Sequence, residues 1–255
     1  MGIVTELPQI ALLLIVSVAL FAGFVKGAVG FGMPLIMISG LATVLPADVA
    51  LAALIVPTVV TNGYQAFRHG VRAAWEAVAK FRVFLIALLI FLVISAQLVS
   101  VLSQELLFII IGLPVVAFCL LQLSVWNPQL KQKNRVRDES LIGAFAGMTG
   151  GMSGVWGPPT IAYLTAINTP KTEQMRVQGV IYGLGAAALF LAHLKSGVLN
   201  AQTIPLSVAM LVPSLAGMVL GGLVHDQMPQ ATFKRMTLIV LTVAGLNLIR
   251  KGLVG

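Results

Sequence analysis

The feature that most constrains this chain is a cluster of glycine and proline that occurs twice inside long apolar tracts. The first cluster is Gly27-Ala-Val-Gly-Phe-Gly-Met-Pro34, and the second is Gly150-Gly-Met-Ser-Gly-Val-Trp-Gly-Pro-Pro159. Relative to alanine, glycine destabilises a helix interior by about 1 kcal/mol and proline by about 3 kcal/mol. Each cluster therefore predicts an interruption in an otherwise helical apolar segment.

The two clusters belong to an internal repeat. An offset of 125 residues aligns Gly32 with Gly157 and Pro34 with Pro159. Slightly different offsets align three further pairs, Pro46 with Pro170, Arg68 with Lys195 and Gly70 with Gly197. Interruptions at corresponding positions of two repeats point to the binding site of a membrane transporter.

Composition places the chain in the membrane. Its 255 residues are 58% hydrophobic with a mean hydropathy of +1.00, above the roughly 45 to 50% apolar content of soluble domains. The net charge of +8 does not indicate nucleic acid, because the cations lie in short segments between apolar spans, as orientation signals do. The first apolar tract begins near Leu7 without a basic segment before it, so we interpret it as a permanent span. A single cysteine, Cys119, excludes an intrachain disulfide.

The apolar runs predict an all-α polytopic membrane protein with about eight membrane helical elements in two repeated halves, each with a glycine-rich broken or re-entrant element. About 20 apolar residues span a bilayer. On that basis the first repeat is 1–126, a basic cytoplasmic linker is 127–140, and the second repeat is 141–255. The expected runs are Leu7–Val25, Met33–Leu45, Ala47–Phe67, Val83–Leu102, Leu106–Val125, Leu141–Thr149, Thr160–Ile167, Thr172–Leu194, Ile204–Val224 and a last helix ending near Ile249.

Two topologies are open. If each broken element is a hairpin that returns to its own side, each half has three crossings and the second half is inverted. If it crosses once, each half has four and the halves are parallel. Inversion places twelve cations inside and three outside, and the parallel arrangement places eleven and four, so the positive-inside rule accepts both. We favour inversion because Leu141–Thr149 and Thr160–Ile167 are too short to span, although Leu7–Val25 is long enough to cross alone.

The interruptions predict an anion site made of backbone. Helices that begin at Met33 and at Pro158 or Pro159 would present N-terminal N–H groups and a partial positive charge. Glycine permits positive φ and close approach of a ligand to the main chain. The alternative is that these glycines only pack helices closely. The candidate binding glycines are Gly27, Gly30, Gly32, Gly154 and Gly157.

Polar side chains next to the clusters complete the candidate site. One helix face carries Thr58, Thr61, Asn62 and Gln65 at helical spacing, and Gln178 and Tyr182 follow the second cluster. Polar groups in lipid are costly, so we expect them to face inward; the alternative is hydrogen bonding to neighbouring helices. Lys26 and Arg176 are the nearest cations and would pair with an oxyanion. Alternatively, Lys26 reaches the headgroups and Arg176 is an interfacial positive-inside residue, which we slightly favour for Arg176.

Other chemistries find little support. Asp48 and Glu173 are expected at helix starts and the other acids in loops or at the N-terminus, so coupling through a carboxylate in mid-membrane is disfavoured. The pairs Met33 with Met37 and Met148 with Met152 leave a metal-handling intramembrane protein as the alternative class. His69, His193 and His225 are scattered, and we find no hydrolase or ATP-binding motif. We expect no enzyme activity, no metal and no cofactor.

The segments Gly27 to Pro34 and Gly154-Val-Trp-Gly-Pro-Pro159 resemble the glycine-rich stretches of the TauE/SafE family of membrane permeases, and the resemblance covers nearly the whole chain. It implies a multi-pass protein of the inner (plasma) membrane that exports sulfite or small organosulfonate anions, with sulfonate uptake as the alternative. Phe31 and Trp156 stand where the family pattern usually has glycine, which narrows the site and favours an organic sulfonate. The implied partners are a small anion and the lipid bilayer, and a homodimer stays open.

Overall fold

The computed structural model describes residues 8–67, 70–124, 134–167, 169, 171–224 and 229–254. Within these residues the chain forms eleven helices and no strands. Five helices are long and apolar enough to cross a membrane, or six if one bent pair counts as a single span. The all-helical membrane class is confirmed, whereas the count of about eight membrane elements is not reached by this measure.

The helices are numbered in chain order. The first half contains α1 Gln9–Val29, α2 Met33–Leu41, α3 Ala47–Phe67, α4 Val71–Lys80, α5 Arg82–Ala96 and α6 Gln104–Leu123. The second half contains α7 Arg135–Ser153, α8 Gly157–Ala166, α9 Lys171–Ser196, α10 Ile204–Val224 and α11 Gln230–Val254.

Both predicted interruptions are present, and each is three residues long. The first break, Gly30–Gly32, follows α1: Gly30 has φ 80° and donates its N–H to the Lys26 carbonyl at 2.8 Å, and Gly32 has φ 94°. The second break, Gly154–Trp156, follows α7: Gly154 has φ 72° and donates its N–H to the Gly150 carbonyl at 2.7 Å. These left-handed conformations are the physical reason for glycine at the three positions.

The helix boundaries shift the register of the repeat by one residue from the alignment expected. Gly30 and Gly154 both end a helix, and Met33 and Gly157 both begin one. The offset that matches these boundaries is 124, not 125. Gly32 therefore corresponds to Trp156, because the geometry of the helix ends, rather than residue identity, sets the correspondence.

One expected arm is longer than its apolar run. The segment Leu141–Thr149 is not a separate short element, since α7 begins at Arg135, inside the segment assigned to the linker, and runs for 19 residues. At 1.5 Å per residue it is about 28 Å long, so the argument that this arm is too short to span is wrong. The second arm, α8, has 10 residues and is short as expected. Linker residues 127–133 lie outside the described part of the chain.

The short helices α2 and α8 turn back along the helices that precede them. A Cβ on Gly32 would lie 3.5 Å from Val25, and one on Gly40 would lie 2.7 Å from Val18, so α2 runs antiparallel to α1. In the other half Trp156 packs against Gly150, and the Tyr163 hydroxyl donates to Glu139 at 2.8 Å. Each broken element is thus a long helix followed by a short returning one.

Two pairs of parallel helices are packed through glycine. A Cβ on Gly217 would lie 1.9 Å from the Leu20 carbonyl oxygen, and one on Gly221 would lie 2.0 Å from that of Phe24, so α10 runs parallel to α1. The spacing Gly217-x-x-x-Gly221 permits this close approach, because both glycines lie on the side of α10 that faces α1. The pair α5 and α7 is built in the same way, with Gly143, Gly147 and Gly151 against the carbonyls of Phe84, Leu88 and Leu92.

Two further pairs are antiparallel. Along α3 and α9, Gly179 faces Gln65 and Gly183 faces Asn62, so these two helices run in opposite directions. Along α6 and α11, Gly112 faces Gly245 and Gly252 faces the Glu105 carbonyl. These are the two pairs in which each helix faces its own counterpart from the other repeat. Among the described residues, all four principal helix pairings join one half to the other, and the core lies between the halves.

A proline lies in the middle of α3. Pro57 has no N–H, so it leaves the carbonyl of Ala53 without its usual helical donor. Ser207 of α10, which is fully buried, donates its hydroxyl to that carbonyl at 3.4 Å and accepts the Val56 N–H at 3.0 Å. A neighbouring helix thereby satisfies the backbone that the proline leaves open, as is required inside a membrane.

The close packing of α1 and α10 predicts opposite effects for two adjacent substitutions. Gly221→Ala would place Cβ 2.0 Å from the Phe24 carbonyl oxygen, whereas Gly222→Ala meets nothing within 4 Å. Overpacking costs about 1 to 3 kcal/mol, so we expect Gly221→Ala to lower the midpoint of thermal unfolding in detergent. Gly222→Ala should leave the midpoint unchanged or raise it, because alanine favours helix. Equal midpoints for the two variants would contradict this packing.

Candidate functional site

One cavity joins the two breaks. It lies between residues of both breaks, the first turn of α2, and the facing sides of α3 and α9. Its lining residues are Lys26, Phe31, Gly32, Pro34, Leu35 and Asn62 from the first half, and Gly154, Val155, Trp156, Gly157 and Tyr182 from the second.

The breaks reach past each other along α3. Gln65 donates its amide to the Gly30 carbonyl at 3.2 Å, which puts the first break beside the C-terminal part of α3. The second break lies beside its N-terminal part, because a Cβ on Gly154 would lie 2.8 Å from Leu54 and 3.7 Å from Leu51. The part of α3 beside the first break and the part beside the second break therefore lie on opposite sides of Pro57. The cavity therefore lies where the two long helices α1 and α7 overlap in depth.

A single buried cation faces this cavity. Lys26 is only 5% exposed, and its ammonium donates to Oδ1 of Asn62. Among the described residues no carboxylate lies within ion-pair distance of it. The alternative that Lys26 reaches the headgroups does not fit this burial. Removing an ammonium from water is costly unless other groups compensate, and here the compensation from the protein is one amide oxygen and the C-terminal end of α1.

The N-termini of α2 and α8 also face the cavity, but they are unequal. At the start of α2 the Ile36 N–H donates to the Gly32 carbonyl at 3.0 Å. The N–H groups of Met33 and Leu35, which precede it, have no acceptor within the helix. In α8 the second and third positions are prolines, so only Gly157 has a donor there. The predicted backbone anion site is thus concentrated at α2.

The second half supplies aromatic walls. Trp156 is 2% exposed and lies between two glycines, since a Cβ on Gly150 or on Gly185 would approach its ring to 2.9 or 3.0 Å. Tyr182 lies beside the start of α8, where its hydroxyl donates to the Gly157 carbonyl at 3.4 Å. The cavity volume is about 20 Å³, which is room for about one water molecule. A sulfonate would not fit without movement of these walls.

The structure brings together about half of the residues predicted for the site. Lys26, Gly32, Asn62, Gly154, Gly157 and Tyr182 line the cavity. Their contact with a substrate stays a prediction.

The other predicted residues lie elsewhere. The hydroxyls of Thr58 and Thr61 donate to carbonyls one turn earlier in their own helix, those of Leu54 and Pro57, at 2.6 and 2.7 Å. Gln65 holds the carbonyl of Gly30 at the first break, and Gly27 packs against Met218 of α10. Gln178 and Arg176 do not line the cavity, although Nε of Arg176 is buried without a hydrogen-bond partner.

Two kinds of residue were not predicted from the sequence. Leu35 and Val155 line the cavity, and their position next to the breaks was the available signal. The placement of the remaining acids in loops or at the N-terminus is wrong for Glu76 in α4, Glu105 in the first turn of α6, and Asp138 and Glu139 in α7. Glu139 is 2% exposed in the second turn of α7. It accepts from Arg135 at 2.7 Å and from Tyr163 at 2.8 Å. The Arg-x-x-x-Glu spacing was the signal for this pair.

The alternative metal ligands are engaged otherwise. The Sδ atoms of Met33 and Met37 face the hydroxyls of Thr61 and Ser214, each at 3.9 Å. Both ring nitrogens of His193 have partners, Ser196 at 3.0 Å and the Gly151 carbonyl at 2.8 Å. Across the part of the chain that the structure describes, no three histidine, cysteine or acidic side chains form a metal-binding group. His69 and His225 lie outside the described residues.

Fold and site define a multi-pass helical membrane protein in which two interrupted helices meet at a buried lysine. The family model described as "Sulfite exporter TauE/SafE" matches residues 15–248, and the chain belongs to that family of membrane transporters. The resemblance noted from the glycine-rich stretches is thereby confirmed. No curated protein and no solved structure shows significant similarity to the chain.

Two of the positive-φ glycines, Gly32 and Gly197, offer a matched test of the first break. An added Cβ has room at both, with Val25 at 3.5 Å from the first and nothing within 4 Å of the second. Alanine in the left-handed region costs about 1 to 2 kcal/mol, so we expect Gly32→Ala and Gly197→Ala to lower the unfolding midpoint equally. Added sulfoacetate or sulfite should then raise the midpoint of Gly197→Ala but not that of Gly32→Ala. An equal ligand response in both variants would remove Gly32 from the site.

Proposed function

We propose that this protein is a secondary carrier that moves a small sulfur-containing anion, sulfite or an organosulfonate, outward across the plasma membrane by alternating access. The observation that carries the proposal is Lys26, a buried ammonium that faces the cavity between the two breaks. A cation in that position has no carboxylate partner among the described residues. An anionic substrate would supply the missing charge.

The charge of the cavity favours a substrate with one negative charge. Within its lining, Lys26 is the only cationic side chain, and the N-terminus of α2 adds a partial positive charge. The position that corresponds to Lys26 in the second half is Gly150, which packs against Trp156. With lysine at one of these two positions and glycine at the other, the cavity has one cationic side chain instead of two. One cation suits hydrogensulfite or an organosulfonate monoanion better than a dianion.

The walls of the cavity favour an organic group on that anion. Phe31, Trp156 and Tyr182 line it together with Leu35 and Val155. An apolar wall opposite a charged group is the usual arrangement for holding a small amphipathic ligand in one orientation. An organosulfonate would place its sulfonate at Lys26 and the α2 amides, and its carbon atoms against the rings.

Outward transport needs no coupling ion for such a substrate. An inside-negative potential contributes about 2.3 kcal/mol per charge per 100 mV toward the exit of an anion. Glu139, the buried carboxylate of α7, is already paired with Arg135 and Tyr163 near the beginning of its helix. It is therefore a poor candidate for a proton-coupling group. Uptake of a sulfonate remains the alternative direction.

An inverted repeat accounts for the directions of the helices. A two-fold axis along the membrane normal would make corresponding helices parallel, whereas an axis in the membrane plane makes them antiparallel. The contacts of α3 with α9 and of α6 with α11 run antiparallel. The returning course of α2 along α1 also supports a broken element that goes back to its own side.

Alternating access follows from the same symmetry. In an inverted repeat, each half can adopt the conformation of the other, which exchanges the side on which the cavity opens. The small cavity volume of about 20 Å³ supports a conformation in which neither path is wide. Movement of the Trp156 and Tyr182 walls relative to α2 would enlarge it.

Replacing Lys26 tests the charge assignment. Lys26→Met keeps the length of the side chain and removes the charge, and loss of a charged hydrogen bond costs about 1.5 to 3 kcal/mol. We expect sulfite or sulfoacetate flux into proteoliposomes under an imposed potential to fall by about 10-fold to 100-fold. Lys195→Met, at an exposed position late in α9, should transport at the wild-type rate. Asn62→Ala and Gly157→Leu should lose transport while expression is retained.

The outcomes of this experiment distinguish a wrong role for Lys26 from a wrong assignment of the transported anion. Wild-type flux in Lys26→Met, with normal dependence on potential, would show that the cation is structural only. Absence of flux for sulfite, sulfoacetate and related anions in the wild-type protein would contradict the carrier assignment itself.

The location of the C-terminus tests the inverted repeat. If the broken elements return to their own sides, each half crosses three times, and the basic segments near Arg82 and Arg137 are cytoplasmic. The C-terminus, after Arg250 and Lys251, would then lie outside the cell. We expect a C-terminal alkaline phosphatase fusion to be active and a C-terminal green fluorescent protein fusion to be dark. The reverse pattern would support parallel halves.

A further inference from the structure

The helix α4 has no counterpart in the second repeat. It joins α3 to α5, whereas residues 197–203, which join α9 to α10, contain no helix. The axis of α4 is bent by 85° from that of α5. In the inverted arrangement proposed above α5 crosses the bilayer, and a helix at about a right angle to a crossing helix lies along the membrane plane.

Three sides of α4 have different surroundings. Ala77 is 3% exposed and lies on the side that packs against the protein, where α9 is the main neighbour. Val71 and Trp75 are 72% and 71% exposed. Arg72 and Glu76 have side chains that are 95% and 55% exposed.

The exposed residues form two separate stripes. Val71 and Trp75 are spaced i, i+4 and make an apolar stripe, and Arg72 and Glu76 are spaced i, i+4 and make a polar one. Successive residues of a helix are about 100° apart, so the stripes lie side by side. A short helix with this pattern and with tryptophan in its apolar stripe is typical of the membrane interface. Its ten residues and three charges exclude a span.

The next helix, α5, also carries exposed apolar residues. On α5, Ile86, Ile90 and Ile94 are 57%, 52% and 53% exposed. The bend between the two helices is held rigidly, because Phe81 is fully buried and donates its N–H to the Ala77 carbonyl at 3.1 Å. Beside it, Lys80 pairs with Glu173 of α9 at 2.5 Å.

We infer that α4 lies flat in the headgroup layer of the bilayer and binds acidic phospholipid. Val71 and Trp75 enter the boundary of the acyl chains, and Arg72 and the exposed Arg82 contact lipid phosphates. The ion pair of Arg72 with Glu76, at 3.4 Å, is exposed and weak, so the guanidinium is available to a lipid. Arg72 lies in the first turn of α4 and Arg82 is the first residue of α5, so each guanidinium can contact a lipid phosphate of its own. This inference does not depend on the substrate proposed above.

Site-directed spin labelling tests the depth of α4. Cys119 is the only cysteine, so a Cys119→Ala background with Val71→Cys, Arg72→Cys, Trp75→Cys or Glu76→Cys gives one label each. In nanodiscs we expect positions 71 and 75 to favour collision with oxygen, and positions 72 and 76 to favour a water-soluble nickel reagent. Nickel accessibility that is equal at all four positions would overturn the inference. Spin–spin coupling between copies at position 75 would overturn it in favour of a protein interface.

Lipid retention tests the binding of acidic headgroups. We expect native mass spectrometry of the wild-type protein, extracted from vesicles of equal phosphatidylglycerol and phosphatidylcholine, to show retained phosphatidylglycerol. The double variant Arg72→Gln with Arg82→Gln should lose at least half of it. The control Lys195→Gln removes an exposed cation at the other end of α9 from Glu173 and should retain the lipid. Equal retention in the double variant and the control would overturn the assignment of the arginines.

Discussion

Contact between glycine and the backbone of a facing helix is the interaction on which this structure depends. Lipid offers no hydrophobic drive for helices to associate, so packing has to be close to be stable. Gly147 and Gly151 face the carbonyls of Leu88 and Leu92, and Gly217 and Gly221 face those of Leu20 and Phe24. Each set joins the broken element of one half to a helix of the other. The same contacts therefore hold the halves together and fix where the breaks meet.

The breaks convert this packing into a site with an unusual electrostatic character. A bilayer tolerates irregular backbone only where it is enclosed by protein or lines a cavity, and both breaks line the same one. The charge of Lys26 is compensated by the Asn62 amide, with no acid within ion-pair distance among the described residues. Positive charge is thus concentrated in the first half, and aromatic surface, from Trp156 and Tyr182, in the second. The two repeats have become complementary rather than equivalent.

Much of the fold could be predicted from the sequence because glycine and proline have few structural uses inside an apolar tract. The breaks were predicted from them, and the bounds of α3 and α10 match the predicted apolar runs Ala47–Phe67 and Ile204–Val224. The length of α7 was not predicted, because its first turn carries Arg135 and Arg137, which hydropathy alone assigns to a loop. Thr58 and Thr61 show why site residues are harder to predict than helices. Helical spacing places both on one face of α3, but each hydroxyl donates to a carbonyl of its own helix and does not face the cavity. Burial of Lys26 depends on the fold-back of α2 and cannot be deduced from its neighbours in the chain.

Because α3 contains a proline, α10 provides hydrogen bonds to the α3 backbone in addition to packing against α1. Ser207 caps the carbonyl that Pro57 exposes and also takes the amide of Val56, so one hydroxyl completes the backbone of another helix at the level between the two breaks. If α10 moved away, the Ala53 carbonyl would lose this donor in a dry environment, which is costly. The position of α10 is therefore coupled to the backbone hydrogen bonding of α3, and a rearrangement of either helix at this level has to provide the carbonyl with a new donor.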